Sequence, residues 1–262
     1  MNLIIDIGNT LQKIAVFNND ESVYGQSFSK ITAPILAEII NQYPVKYSII
    51  SSVSGKNVKL EALLKAHTQW IPYSHETKIP LKILYNSKET LGLDRIAGAV
   101  GAVRLFPQKN VLSIQAGTCL VLDFVNDKSE YLGGSISPGI KMRFDALHEK
   151  TKKLPLLTLS ENYPNILDES TPQTPHPKPL TPENYPNILG EDTWNSISSG
   201  VINGMKYEIE GFIEYYNAKY ENLTVILSGG NANYLQKLIK NTIFAAPNLV
   251  WIGLNEIIKY NV

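Results

Sequence analysis

Asp6, Gly8, Asn9, Thr10 and Lys13 lie close together in "DIGNTLQK", directly after a short apolar run. A carboxylate, a glycine, two small polar side chains and a lysine at this spacing can be read in two ways. One is a plain hairpin turn. The other is a phosphate cradle, in which successive backbone N–H groups take up the anion and small side chains let its oxygens approach. Asp6 would repel a phosphate directly, but it can hold a hydrated Mg²⁺ that touches one. Lys13 is then either a solvated strand residue or the mobile charge that neutralises a transferring phosphoryl group.

The same arrangement occurs a second time. "LIIDIGNTLQKIAVFN" (Leu3–Asn18) aligns with "LSIQAGTCLVLDFVN" (Leu112–Asn126), placing Gly8 on Gly117 and Asp6 on Gln115. Each segment is an apolar strand, a polar residue, a turn through glycine and another apolar strand. "YSIISSVSG" (Tyr47–Gly55) is echoed by "TVILSGGNA" (Thr224–Ala232), where an apolar strand runs into Gly229 and Gly230. Short turn segments can agree by chance, but agreement across whole strand–turn–strand units predicts a duplicated fold with a cleft between its halves. Gly117 and Thr118 would then face the phosphates from the second half.

These turns need a scaffold of alternating elements. Strands are predicted at Leu3–Asp6, Lys13–Phe17, Tyr47–Ser52 and Val111–Ile114. Helices are predicted at Ala33–Tyr43, Val58–Ala66 and from about Leu93 to Leu105. Asp192 or Thr193 is a candidate N-cap for a long helix whose Ile197, Val201, Met205, Ile209 and Phe212 form one apolar stripe. Strand–helix alternation of this kind indicates an α/β architecture.

Composition narrows the classes. Among 262 residues, 44% are apolar and 24 Lys plus Arg balance 24 Asp plus Glu, so no broad positive field exists for nucleic acid or anionic lipid. Any bound anion must be held locally. Cys119 is the single cysteine, which excludes an internal disulfide and suits a reducing compartment. With no signal-peptide pattern and no apolar run near membrane length, the expectation is a cytoplasmic chain without a membrane partner.

Taken together, "DIGNTLQK", "SSVSG", "LYNSKETLGLDRIAGAVGA", "AGTCLVLDFV", "YLGGSISPGIKMRFDALHEKTKKLP", "GEDTWNSISSGVINGMKYEIEGFI" and "LSGGNA" resemble, in order, the type III pantothenate kinases of the acetate/sugar kinase–Hsp70–actin superfamily. The resemblance implies a duplicated actin-like (ribonuclease H-like) fold, with halves at 1–110 and 111–262. It also implies transfer of the ATP γ-phosphoryl to the primary hydroxyl of pantothenate, the first step toward coenzyme A. Asp94 of "GLDR" matches the family's proposed base, although taken alone it reads as a helix N-cap. Tyr85, Gly92, Leu93 and Arg95 would line the pantothenate pocket. Alone, Tyr85 reads as core packing and Arg95 as a surface cation. Thr193 matches a threonine that reaches substrate in the neighbouring subunit, implying a homodimer with composite sites. Gly229 and Gly230 match the adenosine-side turn. Gly133, Gly134, Pro138 and Gly139 are expected to shape a strand–loop–helix connection, and His148, on the same helix as Arg143, is expected to be structural.

Two features depart from the family pattern. The family carries aspartate where this chain has Gln115, and it associates that carboxylate with catalysis or with a monovalent cation, potassium or ammonium. Glutamine keeps an acceptor oxygen but loses the charge. Asp123, eight residues on, belongs to the next strand. Second, "ENYPNIL" occurs at Glu161–Leu167 and again at Glu183–Leu189, bracketing the Pro-rich "DESTPQTPHPKPLTP". This duplicated insertion, at about 158–189, reads as an extended surface loop, a lid or a partner-binding segment. Gln115 also leaves open a nucleotide-binding regulator on the same scaffold, and a related small-molecule kinase is a further alternative.

Overall fold

The run LIIDI is apolar enough to be buried on both faces, and it forms the middle of β1 (Asn2–Ile7). The chain, seen in a computed structural model that describes residues 1–53, 55, 57–159, 180 and 185–262, turns antiparallel into β2 (Gln12–Asn18) and β3 (Glu21–Phe28). There follow α1 (Ala33–Gln42), β4 (Tyr47–Ser52), α2 (Val58–His67), β5 (Gln69–Ile71), β6 (Lys82–Ile83) and α3 (Leu93–Leu105). Then come β7 (Val111–Ala116), β8 (Cys119–Val125), β9 (Glu130–Pro138), α4 (Ile140–Glu149) and α5 (Thr193–Lys219). The chain continues through β10 (Thr224–Ser228), α6 (Ala232–Gln236), β11 (Phe244–Ala245) and α7 (Leu249–Tyr260).

Two mixed sheets result. The first has the order β3-β2-β1-β4-β5, and the second β11-β10-β7-β8-β9-β6. Without its short edge strand β6, the second sheet reads β9-β8-β7-β10-β11. Each sheet therefore uses its strands in the order third, second, first, fourth, fifth. This repeat of topology is the duplicated α/β fold that the echoed turns predict.

Contacts divide the chain into two compact units. The first comprises Met1–Ser113, Asp123–Gly134 and Asn248–Val262, and the second Ile114–Leu122 and Ser135–Pro247. In the first unit, strand alternation sorts the core. Leu3, Ile5 and Ile7 face Leu36 and Ile39 of α1 and Leu60 and Leu64 of α2. Ile4 instead packs with Ala97 and Val100 of α3 and with Leu254, Ile257 and Ile258 of α7. The second unit is built around α5, whose Ile197, Val201, Met205, Ile209 and Ile213 are buried. Among the described residues no helix is long and apolar enough to cross a membrane.

α3 and α7 cross in close contact. A Cβ on Gly253 would overlap the Ala97 carbonyl oxygen, and one on Gly101 the Leu249 carbonyl oxygen. Gly253→Ala should therefore lower stability by about 3 kcal/mol, since neither backbone can yield without repacking the core. Gly211→Ala, with open space around its Cα on α5, should be neutral or stabilising by about 0.5–1 kcal/mol. Urea denaturation midpoints check both. Equal midpoints for the two variants would show that the helices separate at no cost.

Candidate active site

In the first unit the β1–β2 turn is closed by the Gly8 N–H donating to the Leu11 carbonyl at 3.1 Å, with Asn9 and Thr10 exposed at its tip. Asp6 and Lys13 are direct partners across the hairpin, and Ser51 of β4 is level with Asp6 on its other side. Asp6 has the same parity as Ile4 and so points to the face covered by α3. Burial raises its carboxyl to about 6, with Lys13 pulling it down and Asp94 pushing it up. The Ser51 Oγ, on the same face, is buried without a hydrogen-bond partner.

Asp94 stands in the first turn of α3. Gly92, not Asp94, occupies the N-cap position. The Asp94 Oδ1 instead accepts from the Arg95 N–H at 2.9 Å, and a Cβ on Gly92 would come within 2.5 Å of it. Glycine leaves room for the carboxylate to fold back over it; a side chain at 92 would push that carboxylate aside. A carboxylate in a first helical turn also meets the positive end of the helix dipole. The turn before it is pinned from outside: the Tyr73 hydroxyl donates to the Leu93 carbonyl at 2.7 Å, and a His75 ring nitrogen lies 2.8 Å from the Leu91 carbonyl. Burial, reinforced by the charges of Asp94 and Asp6, holds the Tyr73 phenol well above its ordinary value, so it remains a donor.

Arg95 is not a surface cation. It is 8% exposed, and its Nε and Nη2 donate to Asp123 Oδ1 at 3.0 and 2.6 Å. Tyr131 donates to the same oxygen at 2.6 Å. Burial raises the Asp123 carboxyl against the pull of Arg95, whose guanidinium keeps its proton. The Arg95 Cζ lies 5.9 Å from the Tyr85 ring centre, and the Tyr85 ring packs edge-on against Tyr131 at 6.1 Å. Gly133, at φ +122°, brings its Cα beside Tyr85, a backbone conformation that disfavours other residues. Tyr85 is thus both a packing residue and a wall beside a fixed cation.

The second unit holds the other turns. The Gly117 N–H donates to the Cys119 carbonyl at 3.0 Å, and the Gly139 N–H to the Thr118 carbonyl at 3.1 Å. Gly229 (φ +92°) lies flat on Ala116, where a Cβ would come within 2.5 Å of the Ala116 oxygen, and the Asn231 N–H donates to that oxygen at 2.9 Å. The Gly117–Thr118 and Gly229–Gly230 turns are therefore joined through Ala116. Gln115 precedes it in β7, and its Nε2 is buried without a partner. The expected strand–loop–helix connection contains no loop: Gly133, Gly134 and Pro138 lie within β9, and Gly139 is the N-cap of α4. Arg143 fixes this junction, donating to the Pro138 carbonyl at 2.8 Å and pairing with Glu208. His148 Nδ1 sits 2.8 Å from the Leu154 carbonyl, a local structural contact.

Asp192 caps α5 by accepting from the Asn195 N–H, which leaves Thr193 exposed as the first helical residue. The first ENYPNIL copy and the Pro-rich stretch up to Pro179 lie outside the described residues, as does Ser54 of SSVSG. The described part of the second copy is fastened to α5. Asn203 Nδ2 donates to the Pro186 carbonyl at 3.2 Å and Ser199 Oγ to the Ile188 carbonyl at 2.7 Å.

Sequence reading missed Tyr73, Ser51, Tyr131 and the role of Asp123. Only Asp123 carried a signal, as an acidic residue in an otherwise apolar strand, which requires a buried partner.

Solved structures share this fold. They include a Listeria monocytogenes protein assigned as an N-acetylmannosamine kinase (TM-score 0.53, 13% identity, 99% of each chain). A Clostridium difficile activator of 2-hydroxyisocaproyl-CoA dehydratase, solved with bound ADPNP, superposes with a TM-score of 0.51 at 11% identity, over 99% of this chain and 94% of that one. The class is thus one of fold, two mixed α/β sheets of repeated strand order shared with these proteins. The sequence model of the type III pantothenate kinases matches residues 2–215. Type III pantothenate kinases from Cytophaga hutchinsonii and Flavobacterium psychrophilum are each 40% identical, over 262 and 263 residues, covering 99–100% of both chains. The chain belongs to the type III pantothenate kinase family.

Proposed function

We propose that this chain phosphorylates pantothenate with ATP, giving 4′-phosphopantothenate for coenzyme A biosynthesis. The observation that carries the reading is that Asp6, level with Lys13 across the hairpin, points to the face covered by α3, whose first turn holds Asp94. Phosphoryl transfer asks a protein for positioning, charge neutralisation and a proton acceptor. Asp94 accepts the proton of the pantothenate hydroxyl as its oxygen bonds to phosphorus and the bond to ADP breaks. Lys13 offsets the charge on the transferring group, and Gly8, Asn9 and Thr10 line the turn that receives phosphate. In the second unit Gly117 and Thr118 offer a phosphate turn, and Gly229 and Gly230 the adenosine side. Arg95, held by Asp123 and Tyr131, donates to the polar substrate beside Tyr85, Gly92 and Leu93. A second copy of the chain presents Thr193 to complete the pocket.

Mg²⁺ fits this donor set. Magnesium takes one or two carboxylates together with substrate phosphates, and Asp6 offers a carboxylate with the unpartnered Ser51 hydroxyl on the same face. Asp6 would hold it, through water. The ion supplies neutralisation of phosphate charge. At Gln115 the amide turns its nitrogen, a donor, to the buried position, an orientation that suits an anion better than a monovalent cation.

A coupled ADP-release assay with Mg·ATP tests the reading. ADP release should depend on pantothenate. Nucleotide binding without turnover would instead favour a regulator, and turnover with a different acceptor a related kinase.

A further inference from the structure

Among the described residues, five buried side-chain atoms lack a hydrogen-bond partner: Ser51 Oγ, Gln115 Nε2, Ser135 Oγ, Ser198 Oγ and Tyr234 Oη. Four are hydroxyls, which rotate and can either donate or accept. The amide nitrogen of Gln115 only donates. A buried donor left unmade costs about 1–3 kcal/mol, and native structures rarely leave one without a purpose.

Its position suggests the purpose. Gln115 lies in β7 one residue before Ala116, the residue on which Gly229 rests and to which the Asn231 N–H donates. Among the described residues, chain neighbours aside, no atom lies within 4 Å of where a Cβ would stand on Gly117 or on Gly230. An unmade N–H donor therefore belongs to the strand that leads into two small-residue turns joined through Ala116. In this orientation the amide offers its hydrogens, which a group rich in acceptor oxygens satisfies and a cation does not. The duplication supports this: Gln115 is the counterpart of Asp6, so the carboxylate of the first turn is matched by an uncharged donor in the second.

We infer that Gln115 is a direct phosphate ligand, its side-chain amide donating to a phosphate oxygen of the nucleotide, so that turnover needs neither potassium nor ammonium. The inference rests on the kinase reading of the nucleotide site. It also means that phosphate contact at this turn is uncharged and insensitive to the monovalent salt.

Two measurements test it. ADP release by the full chain with Mg·ATP and pantothenate is compared in potassium, ammonium, sodium and choline chlorides at equal ionic strength. Calorimetry then compares binding of AMPPNP, with Mg²⁺, and of adenosine to wild type and Gln115→Leu. Turnover should agree within about twofold across the salts. Gln115→Leu should bind AMPPNP about tenfold more weakly, the worth of a hydrogen bond to a charged group, with adenosine affinity unchanged as the control for folding. Turnover at least tenfold higher in potassium than in choline would overturn the inference, as would equal AMPPNP affinity in the two proteins. If no salt supports turnover while AMPPNP still binds, the pantothenate reading fails, and the affinity comparison alone decides the role of Gln115.

Discussion

Replacing Asp94 by asparagine should lower kcat by about 10²–10⁴-fold, the usual contribution of a positioned general base, while Mg·ATP affinity changes less than about twofold. The carboxamide keeps the size of the side chain and an oxygen to accept the Arg95 N–H at the first turn of α3. What it loses is the capacity to take a proton. Steady-state kinetics with a parallel nucleotide titration separate the two roles. If Asp94 served only to accept the Arg95 N–H, turnover would survive, since asparagine keeps that acceptor.

Asp6→Asn should produce an opposite pair of effects: near-complete loss of Mg·ATP-dependent turnover together with a more stable fold. Burial raises the Asp6 carboxyl from 3.8 to about 6. Between those values the folded state binds more protons than the unfolded one, so stability falls as pH rises through this window and stays lowered above about 6. At pH 7.5 the native enzyme therefore carries a strained carboxylate, and asparagine stands in for its neutral form. The shift corresponds to about 1–3 kcal/mol, or a few degrees of Tm at about 2–4 °C per kcal/mol. Scanning calorimetry at pH 7.5 and pH 4 checks the sign: the gain should be present at the higher pH and small at the lower. An Asp6→Asn protein less stable than wild type at pH 7.5 would mean that Lys13 and the surrounding dipoles outweigh desolvation.

The strand Tyr47–Ser52 and the helix Leu93–Leu105 are legible to the residue, because apolar runs and a glycine break bound them sharply. The echo between Leu3–Asn18 and Leu112–Asn126 points to a duplicated fold on its own, since each copy carries a full strand–turn–strand unit. β3 offers no such signal. Its ESVYGQSF is largely exposed and lacks clean alternation, and the one clue is the "NND" turn with Asn19 at φ +54°. At the site, the motif-bearing residues can be identified but not their supports. Arg95 looks like a free donor because its partner Asp123 is 28 residues away on a different strand. Tyr73 has no signal at all, since a tyrosine's value here depends on which carbonyl its hydroxyl meets. Gln115 is visible as an anomaly, but whether its nitrogen is satisfied depends on three-dimensional neighbours.

The return of residues 248–262 to the first unit also shapes how the protein is made. Domains emerging from the ribosome tend to fold as units, the N-terminal one first. Here that order is blocked. Ile4, Ala15, Ala97 and Val100 are covered by Leu254, Ile257 and Ile258 of α7, which is translated only after the whole of Ser135–Pro247. During synthesis, the sheet carrying Asp6 and the helix carrying Asp94 must wait with one apolar face uncovered. The sheet carrying Asp6 and the helix carrying Asp94 therefore gain their shared packing only once α7 has been made.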